Sequence, residues 1–147
     1  MSLTPHLYGA TFAFILNEKW EILLQQRKNT GYYDGGRQVP SGHIDDGETA
    51  LQSITHECLE EIDIDITVDE THIFHIIHRI STNRQYFDIG VMVNQRTGEI
   101  KNNEPDKCSA LERFALDNLP SYISPITIRL IEAYQSKQFY SEIFENL

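Results

Sequence analysis

Acidic residues are concentrated in one segment of the chain, and this concentration limits how the chain can fold. Residues 42–70 contain ten of the 22 Asp and Glu residues and no Lys or Arg. The other 12 acids are balanced by the 12 basic residues, so this segment carries the whole formal charge of −10. Like charges at this density repel one another unless solvent, a cation or distant basic residues offset them. The fold must therefore expose these acids to solvent, bind a cation beside them or bring basic residues close to them.

The middle of the acidic segment has the periodicity of an amphipathic helix. Apolar side chains recur there at steps of three and four residues, at Leu51, Ile54, Cys58 and Ile62. This spacing predicts a helix over residues 49–62 whose apolar stripe faces a core. At about 100° per residue, Glu57, Glu60 and Glu61 lie within an arc of about 100° beside that stripe. Three carboxylates therefore point in one direction, and a solvated helix face is the ordinary explanation for such a cluster when it stands alone.

Strands are predicted on both sides of this helix. Residues 7–16 and 20–25 are rich in aliphatic and aromatic side chains and flank a turn at residues 17–19, which predicts a hairpin. A short strand interrupted by Pro40 and Gly42 is predicted over residues 38–44. Further strands are predicted over residues 64–68, 74–81, 86–93 and 107–114, with a turn at Gly98 between the last two.

A second helix is predicted over residues 125–136. Pro125 is tolerated in a first helical turn, and Ile126, Leu130 and Ile131 supply an apolar face. Mixed strands with two helices indicate an α/β fold in which helices cover both faces of a sheet. Because no repeat, linker or low-complexity tract divides the chain, we expect a single domain over residues 1–147.

Composition argues against several classes of protein. The negative charge disfavours general affinity for nucleic acids or anionic membranes. The longest apolar stretch, residues 8–16, is about half of the ~20 residues that a membrane span needs. Two cysteines without metal-ligand spacing suit a reducing compartment. We therefore expect a cytoplasmic protein without a membrane span or export signal.

The acidic helix belongs to a longer pattern. Five residues separate Gly42 from Glu48, and the run HECLEEIDI begins eight positions later, at His56. This pattern resembles the Nudix box, G-x5-E-x7-R-E-U-x-E-E-x-G-U with U an aliphatic residue, without insertion or deletion. The matching positions are Gly42, Glu48, Glu57, Glu60, Glu61 and Ile64. His56 replaces the arginine of the box, and Asp63 replaces its second glycine.

The resemblance implies a Nudix-type α/β/α sandwich, with a mixed sheet between helices, and a metal-dependent hydrolase. The expected reaction cleaves a diphosphate bond in a nucleoside diphosphate derivative or a nucleoside triphosphate. Hard divalent cations neutralise phosphoryl oxygens and activate water, and they prefer oxygen ligands. The resemblance thus assigns Mg²⁺ or Mn²⁺ to five residues: Gly42 through its carbonyl, Glu57, Glu60, Glu61 and, from a downstream loop, Glu104. One glutamate would orient or deprotonate the attacking water; which one stays open.

His56 is the departure that bears most on activity. By the resemblance it joins Glu57, Glu60 and Glu61 in the catalytic set, where the usual arginine orients a catalytic glutamate. An imidazole can donate one hydrogen bond but cannot form the bidentate contact of a guanidinium. A catalytically weak or inactive Nudix-like module that binds or senses nucleotides is therefore the alternative function.

Substrate contacts are predicted from the basic and aromatic residues. Arg27, Arg79 and Arg84 could contact phosphates. Four aromatic residues could stack on a base, although core packing is their ordinary role: Tyr32, Tyr33, Tyr86 and Phe87. Three histidines recur every third residue, at His72, His75 and His78, but this spacing alternates between strand faces and predicts no common metal site. A non-nucleotide diphosphate and a homodimer both stay open.

Overall fold

The computed structural model describes residues 4–94 and 99–145, which form eight strands, two α-helices and one short 3₁₀ helix. The elements in chain order are β1 (Leu7–Ile15), β2 (Glu21–Arg27), β3 (Arg37–Gln38), β4 (Ser41–His43), α1 (Ala50–Ile62), the 3₁₀ helix (Val68–Glu70), β5 (Thr71–Ser81), β6 (Gln85–Val93), β7 (Cys108–Ala115), α2 (Pro125–Ser136) and β8 (Tyr140–Glu145). No helix in the described ranges is long and apolar enough to cross a membrane.

The strands form two sheets. A five-stranded mixed sheet has the order β4-β1-β6-β5-β8, and a three-stranded sheet has the order β3-β2-β7. In the larger sheet β1 is parallel to β6 and β5 is parallel to β8, while the other pairs are antiparallel. Both pairs of the smaller sheet are antiparallel.

The helices cover opposite faces of the larger sheet because β1 is apolar on both faces. Phe12 and Phe14 pack in one core cluster with Leu130 of α2. Ala13 and Ile15, which alternate with them, pack in a second cluster with the buried stripe of α1. Alternate strand residues point to opposite faces, so β1 supplies both cores. This arrangement confirms the predicted α/β/α sandwich.

Both predicted helices are present, and their ends explain their bounds. Thr49 caps α1, since its side chain accepts a hydrogen bond from the Gln52 amide while the Gln52 side chain accepts one from the Thr49 amide. Asp63 ends the helix in a left-handed conformation with φ 62°. It therefore adopts the conformation that the usual glycine would favour. Ser124 caps α2, and Pro125 begins it.

The predicted hairpin is wrong, because β1 and β2 lie in different sheets. The turn exists: the Asn17 side chain accepts hydrogen bonds from the amides of Lys19 and Glu21, and Leu16 and Ile22 form a single bridge. However, β1 already has β4 on one edge and β6 on the other. No edge remains for β2, which pairs instead with β3 and β7.

Three other strand predictions need correction. Residues 64–68 alternate buried Ile64 and Ile66 with exposed residues, but they form no ladder with any strand in residues 4–94 and 99–145. The predicted strand over 38–44 is two short strands, β3 and β4, in different sheets. The strand β8 was not predicted; it lies parallel to β5 at the sheet edge. Gly98 lies outside the described residues.

Candidate active site

A pocket of about 680 Å³ lies where the two sheets meet, beside the edge strand β4. Its walls include β4, residues of β2 and β3, and the pocket-facing ends of β5 and β6. All five predicted metal-binding residues line it: Gly42, Glu57, Glu60, Glu61 and Glu104. The three predicted phosphate-binding arginines, Arg27, Arg79 and Arg84, line it as well. The acidic and basic candidates therefore share one cavity.

Glu57 reaches the pocket because Gly42 has no side chain. A Cβ atom at position 42 would overlap the Glu57 carboxyl group, which lies directly against the β4 backbone. Burial and the neighbouring carboxylate of Glu60 raise the pKa of Glu57 to about 7. A carboxyl group in this environment is stabilised by a proton or a cation.

Glu61 lies deeper and is held by donors from two sheets. One of its carboxyl oxygens, Oε2, accepts hydrogen bonds from the Ser41 amide at 3.2 Å and from Nε2 of Gln25 at 3.5 Å. Burial, followed by the charges of Glu57 and Glu104, raises the pKa of Glu61 well above its ordinary value. Sequence reasoning missed both donors, since neither belongs to the spacing of the box.

His56 is not among the residues that line the pocket; its side chain lies between two glutamates. Its Nε2 is 3.2 Å from Oε2 of Glu60, and its Nδ1 is 3.5 Å from Oε2 of Glu48. The other oxygen of Glu48 accepts a hydrogen bond from the Asp45 amide at 3.1 Å, which closes the turn before α1. Ligand atoms of His56, Glu57 and Glu60 lie within 4.8 Å of one another.

Glu104 reaches the cavity because the residues before it are hydrogen-bonded to the C-terminal end of α1. The amides of Lys101 and Asn103 donate hydrogen bonds to the carbonyls of Ile62 and Glu61 at the end of the helix, at 2.9 and 3.0 Å. The Glu104 amide in turn donates to the Asn102 side chain at 3.1 Å. Its charge contributes to the raised pKa of both Glu57 and Glu61.

The three arginines have different surroundings. Arg27 donates from Nε to the Tyr32 carbonyl at 2.5 Å and from Nη2 to the Thr30 hydroxyl at 2.9 Å, and burial lowers its pKa. Arg84 is exposed and donates to the Tyr86 hydroxyl at 3.2 Å, a contact that raises its pKa. Arg79 is buried in an ion pair with Asp88. Sequence reasoning missed that pairing.

The aromatic candidates divide into two groups. Tyr32 and Tyr86 line the pocket. Tyr33 stacks on Tyr122 with ring centroids 4.5 Å apart, and Phe87 stacks on His78 at 4.7 Å. These two rings are not among the residues that line the cavity.

The pocket's donor set fits a hard divalent cation. Four carboxylates line the pocket, Glu57 lies against the Gly42 backbone, and two of these carboxyl groups have raised pKa values that a cation would lower. In contrast, His75 is buried and hydrogen-bonded to the Gln138 carbonyl and the Ser141 hydroxyl.

Comparison with known proteins defines the family. The model of the NUDIX domain matches residues 6–135, and the chain therefore belongs to the Nudix hydrolase family. A MutT NUDIX hydrolase from Burkholderia pseudomallei superimposes with a TM-score of 0.78 at 25% identity, covering 86% of this chain and 97% of that one. Membership of the family implies hydrolysis of pyrophosphate bonds in nucleotide derivatives.

Two further relatives extend the comparison. A MutT protein from Methanosarcina mazei Go1 shares the fold, with a TM-score of 0.70 and 19% identity over 92% of this chain and 96% of that one. A protein from Bacillus subtilis (strain 168) named "Putative 8-oxo-dGTP diphosphatase" is 40% identical over 50 residues. That match spans 34% of this chain and 31% of the relative.

Proposed function

We propose that this chain hydrolyses a diphosphate bond in a nucleoside triphosphate or a nucleoside diphosphate derivative, with Mg²⁺ or Mn²⁺ as cofactor. The observation that carries the proposal is that four glutamates line one pocket, with Glu57 directly against the Gly42 backbone: Glu57, Glu60, Glu61 and Glu104. The cation would be held by these carboxylates and the Gly42 carbonyl. When bound, it would supply charge neutralisation for the phosphoryl oxygens and lower the pKa of water.

The glutamates divide the remaining work. Glu57 and Glu61 both line the pocket, and either carboxylate could accept a proton from the attacking water once a bound cation lowers its raised pKa. Glu61 is the better fixed of the two, because Ser41 and Gln25 hold one of its oxygens. His56 acts as a positioning residue through its contact with Glu60.

The other end of the pocket would bind the substrate. Arg27 and Arg84 offer cations to the phosphate groups, and the partly exposed ring of Tyr32 offers a face to a base. The proposed substrate is thus a small nucleotide-type diphosphate. We further propose that the whole chain acts as one domain and that it works in the cytoplasm. The printed name of the Bacillus subtilis relative makes 8-oxo-dGTP one substrate to test.

The alternative function is a binding module without turnover. The basis of this alternative is that His56 replaces the arginine of the Nudix box. The imidazole still contacts Glu60 at 3.2 Å, and the glutamates that would hold the cation all line the pocket, which favours hydrolysis. Hydrolysis is therefore the function that we propose.

Incubation with a panel of diphosphates tests the proposal. The panel contains nucleoside triphosphates including 8-oxo-dGTP, nucleoside diphosphate derivatives and a non-nucleotide diphosphate, each with Mg²⁺. Chromatography of the products identifies the bond that is cleaved. We expect at least one nucleotide to be split at a diphosphate bond. Binding of a nucleotide without any product across the panel would favour the alternative function.

A further inference from the structure

The C-terminal strand β8 lies outside the residues that match the family, yet its Glu145 contacts two residues that line the pocket. The family match ends at residue 135, whereas β8 spans Tyr140–Glu145 and pairs with β5 over six register positions. In this pairing, Ser81 lies opposite Glu145, which brings the Glu145 side chain to the same end of β5 as Arg79. A segment outside the family match is thus part of the pocket's surroundings.

Arg79 carries the first contact of Glu145. Its guanidinium donates from Nε and Nη2 to the two carboxyl oxygens of Asp88, at 2.7 and 3.1 Å. It donates from Nη1 to Oε1 of Glu145 at 3.0 Å, and it lies 4.0 Å above the ring of Tyr86. The planar guanidinium is fixed on both sides, because Asp88 and Glu145 hold different edges of it.

Tyr32 carries the second contact of Glu145. The Tyr32 hydroxyl donates to Oε2 of Glu145 at 3.2 Å, across 113 residues of sequence. Tyr32 belongs to the loop between β2 and β3, and its carbonyl accepts the hydrogen bond from Nε of Arg27. The guanidinium of Arg27 also lies 5.3 Å from the centre of the Tyr32 ring. One carboxylate therefore joins the β5 wall of the pocket to the loop that faces it.

We infer that Glu145 is a positioning residue that sets substrate affinity and base selectivity. It holds Tyr32 and Arg79 at the end of the pocket where a base would bind, and it makes no contact with the glutamate cluster. Burial and the charge of Glu145 raise the pKa of Tyr32 to about 12, so the hydroxyl stays a donor to Glu145 across the neutral range. This inference rests on the proposed function, because it assigns the base to this end.

Steady-state kinetics of Glu145→Ala and Glu145→Gln test the inference. Glu145→Ala removes the contacts that hold both Arg79 and Tyr32, so it should raise KM about 10-fold while kcat stays within about 3-fold. Glu145→Gln can still bond to Tyr32 and should recover part of the affinity. With inorganic triphosphate, which has no base, KM should rise much less than with the nucleotide. Glu142→Ala, on the same strand with its carboxylate exposed and bonded to Tyr140, is the matched control.

Two further measurements test the role of Glu145 independently of turnover and of the folding of Glu145→Ala. Calorimetry can measure binding of a non-hydrolysable nucleotide analogue even if the wild-type protein does not turn over. A role of Glu145 in affinity is therefore tested separately from the proposed hydrolysis. Tyr32→Phe removes the hydroxyl and keeps the ring, and it should weaken binding of the analogue by about 3-fold or more even if Glu145→Ala does not fold. Unchanged nucleotide affinity in Tyr32→Phe, or an equal rise in KM for inorganic triphosphate in Glu145→Ala, would overturn the inference.

Discussion

At the residue scale, the absence of a side chain at Gly42 decides where the Glu57 carboxyl group can lie. The two residues belong to one motif, so their pairing could be predicted from the resemblance. The donors to Glu61 could not, because Gln25 and Ser41 lie 36 and 20 residues away and belong to no recognisable pattern. A motif thus locates charged groups, while the hydrogen bonds that orient them depend on how separate strands come together.

Replacing a helix glutamate by glutamine tests the cluster directly. Glu57→Gln and Glu61→Gln keep the size of the side chain and remove its charge, so kcat should fall at least ~100-fold if the group holds the cation or accepts the proton. Glu132→Gln, at an exposed position on α2, is the control and should leave kcat unchanged. Full activity in both cluster variants would show that these carboxylates form only a solvated face.

The contact between His56 and Glu60 gives a ranking of variants. His56→Arg supplies a permanent charge and several donors, so its kcat should equal or exceed that of the parent, while His56→Ala should lose about 10-fold with the hydrogen bond. Equal rates for all three proteins at saturating metal contradict a positioning role.

The pKa of Glu57 predicts how the stability of the metal-free protein depends on pH. Burial raises this pKa from 4.5 to about 7, so the folded state binds a proton more tightly than the unfolded chain between these values. The free energy of unfolding should fall as pH rises through this window. Thermal unfolding in excess chelator should show a smaller fall for Glu57→Gln than for the wild type. Identical pH dependence of stability in the two proteins would contradict a raised pKa of Glu57.

At the element scale, helices were predictable and strand pairing was not. The stripe from Leu51 to Ile62 and the cap residues Thr49 and Ser124 are local signals, and both helices begin and end close to the predicted residues. The alternation at Ile64 and Ile66 is equally local, but those side chains only fill the core beneath α1. A strand also needs a partner, and the available edges are set by the whole sheet.

The end of α1 offers a stability test at this scale. Asp63 has φ 62°, a conformation that glycine adopts without steric cost, so Asp63→Gly should stabilise the protein by about 0.5 kcal/mol. Asp65→Gly, at an exposed position without a positive φ, should be neutral or destabilising because glycine gains more freedom in the unfolded chain. Chemical denaturation measures both. Destabilisation by Asp63→Gly would mean that the aspartate side chain stabilises this turn.

At the scale of the whole molecule, the pocket depends on two sheets and on the chain's last strand. Glu57 and Glu61 come from the helix on one face, Arg27 from the small sheet, and Arg79 from the large sheet, where β8 supports it. The sequence could predict that Glu57, Glu60 and Glu61 share one side of the helix, and all three line the pocket. The role of Glu145 could not, since nothing in the C-terminal sequence indicates where its strand pairs.

The rate of diphosphate hydrolysis as a function of free Mg²⁺ tests the central claim most directly. For the substrate found in the panel, the wild-type rate should be at least ~100-fold lower in excess chelator and should rise to saturation as free Mg²⁺ is restored. Undiminished turnover in excess chelator would contradict the account, because the convergence of Glu57, Glu60, Glu61 and Glu104 would then have no catalytic purpose.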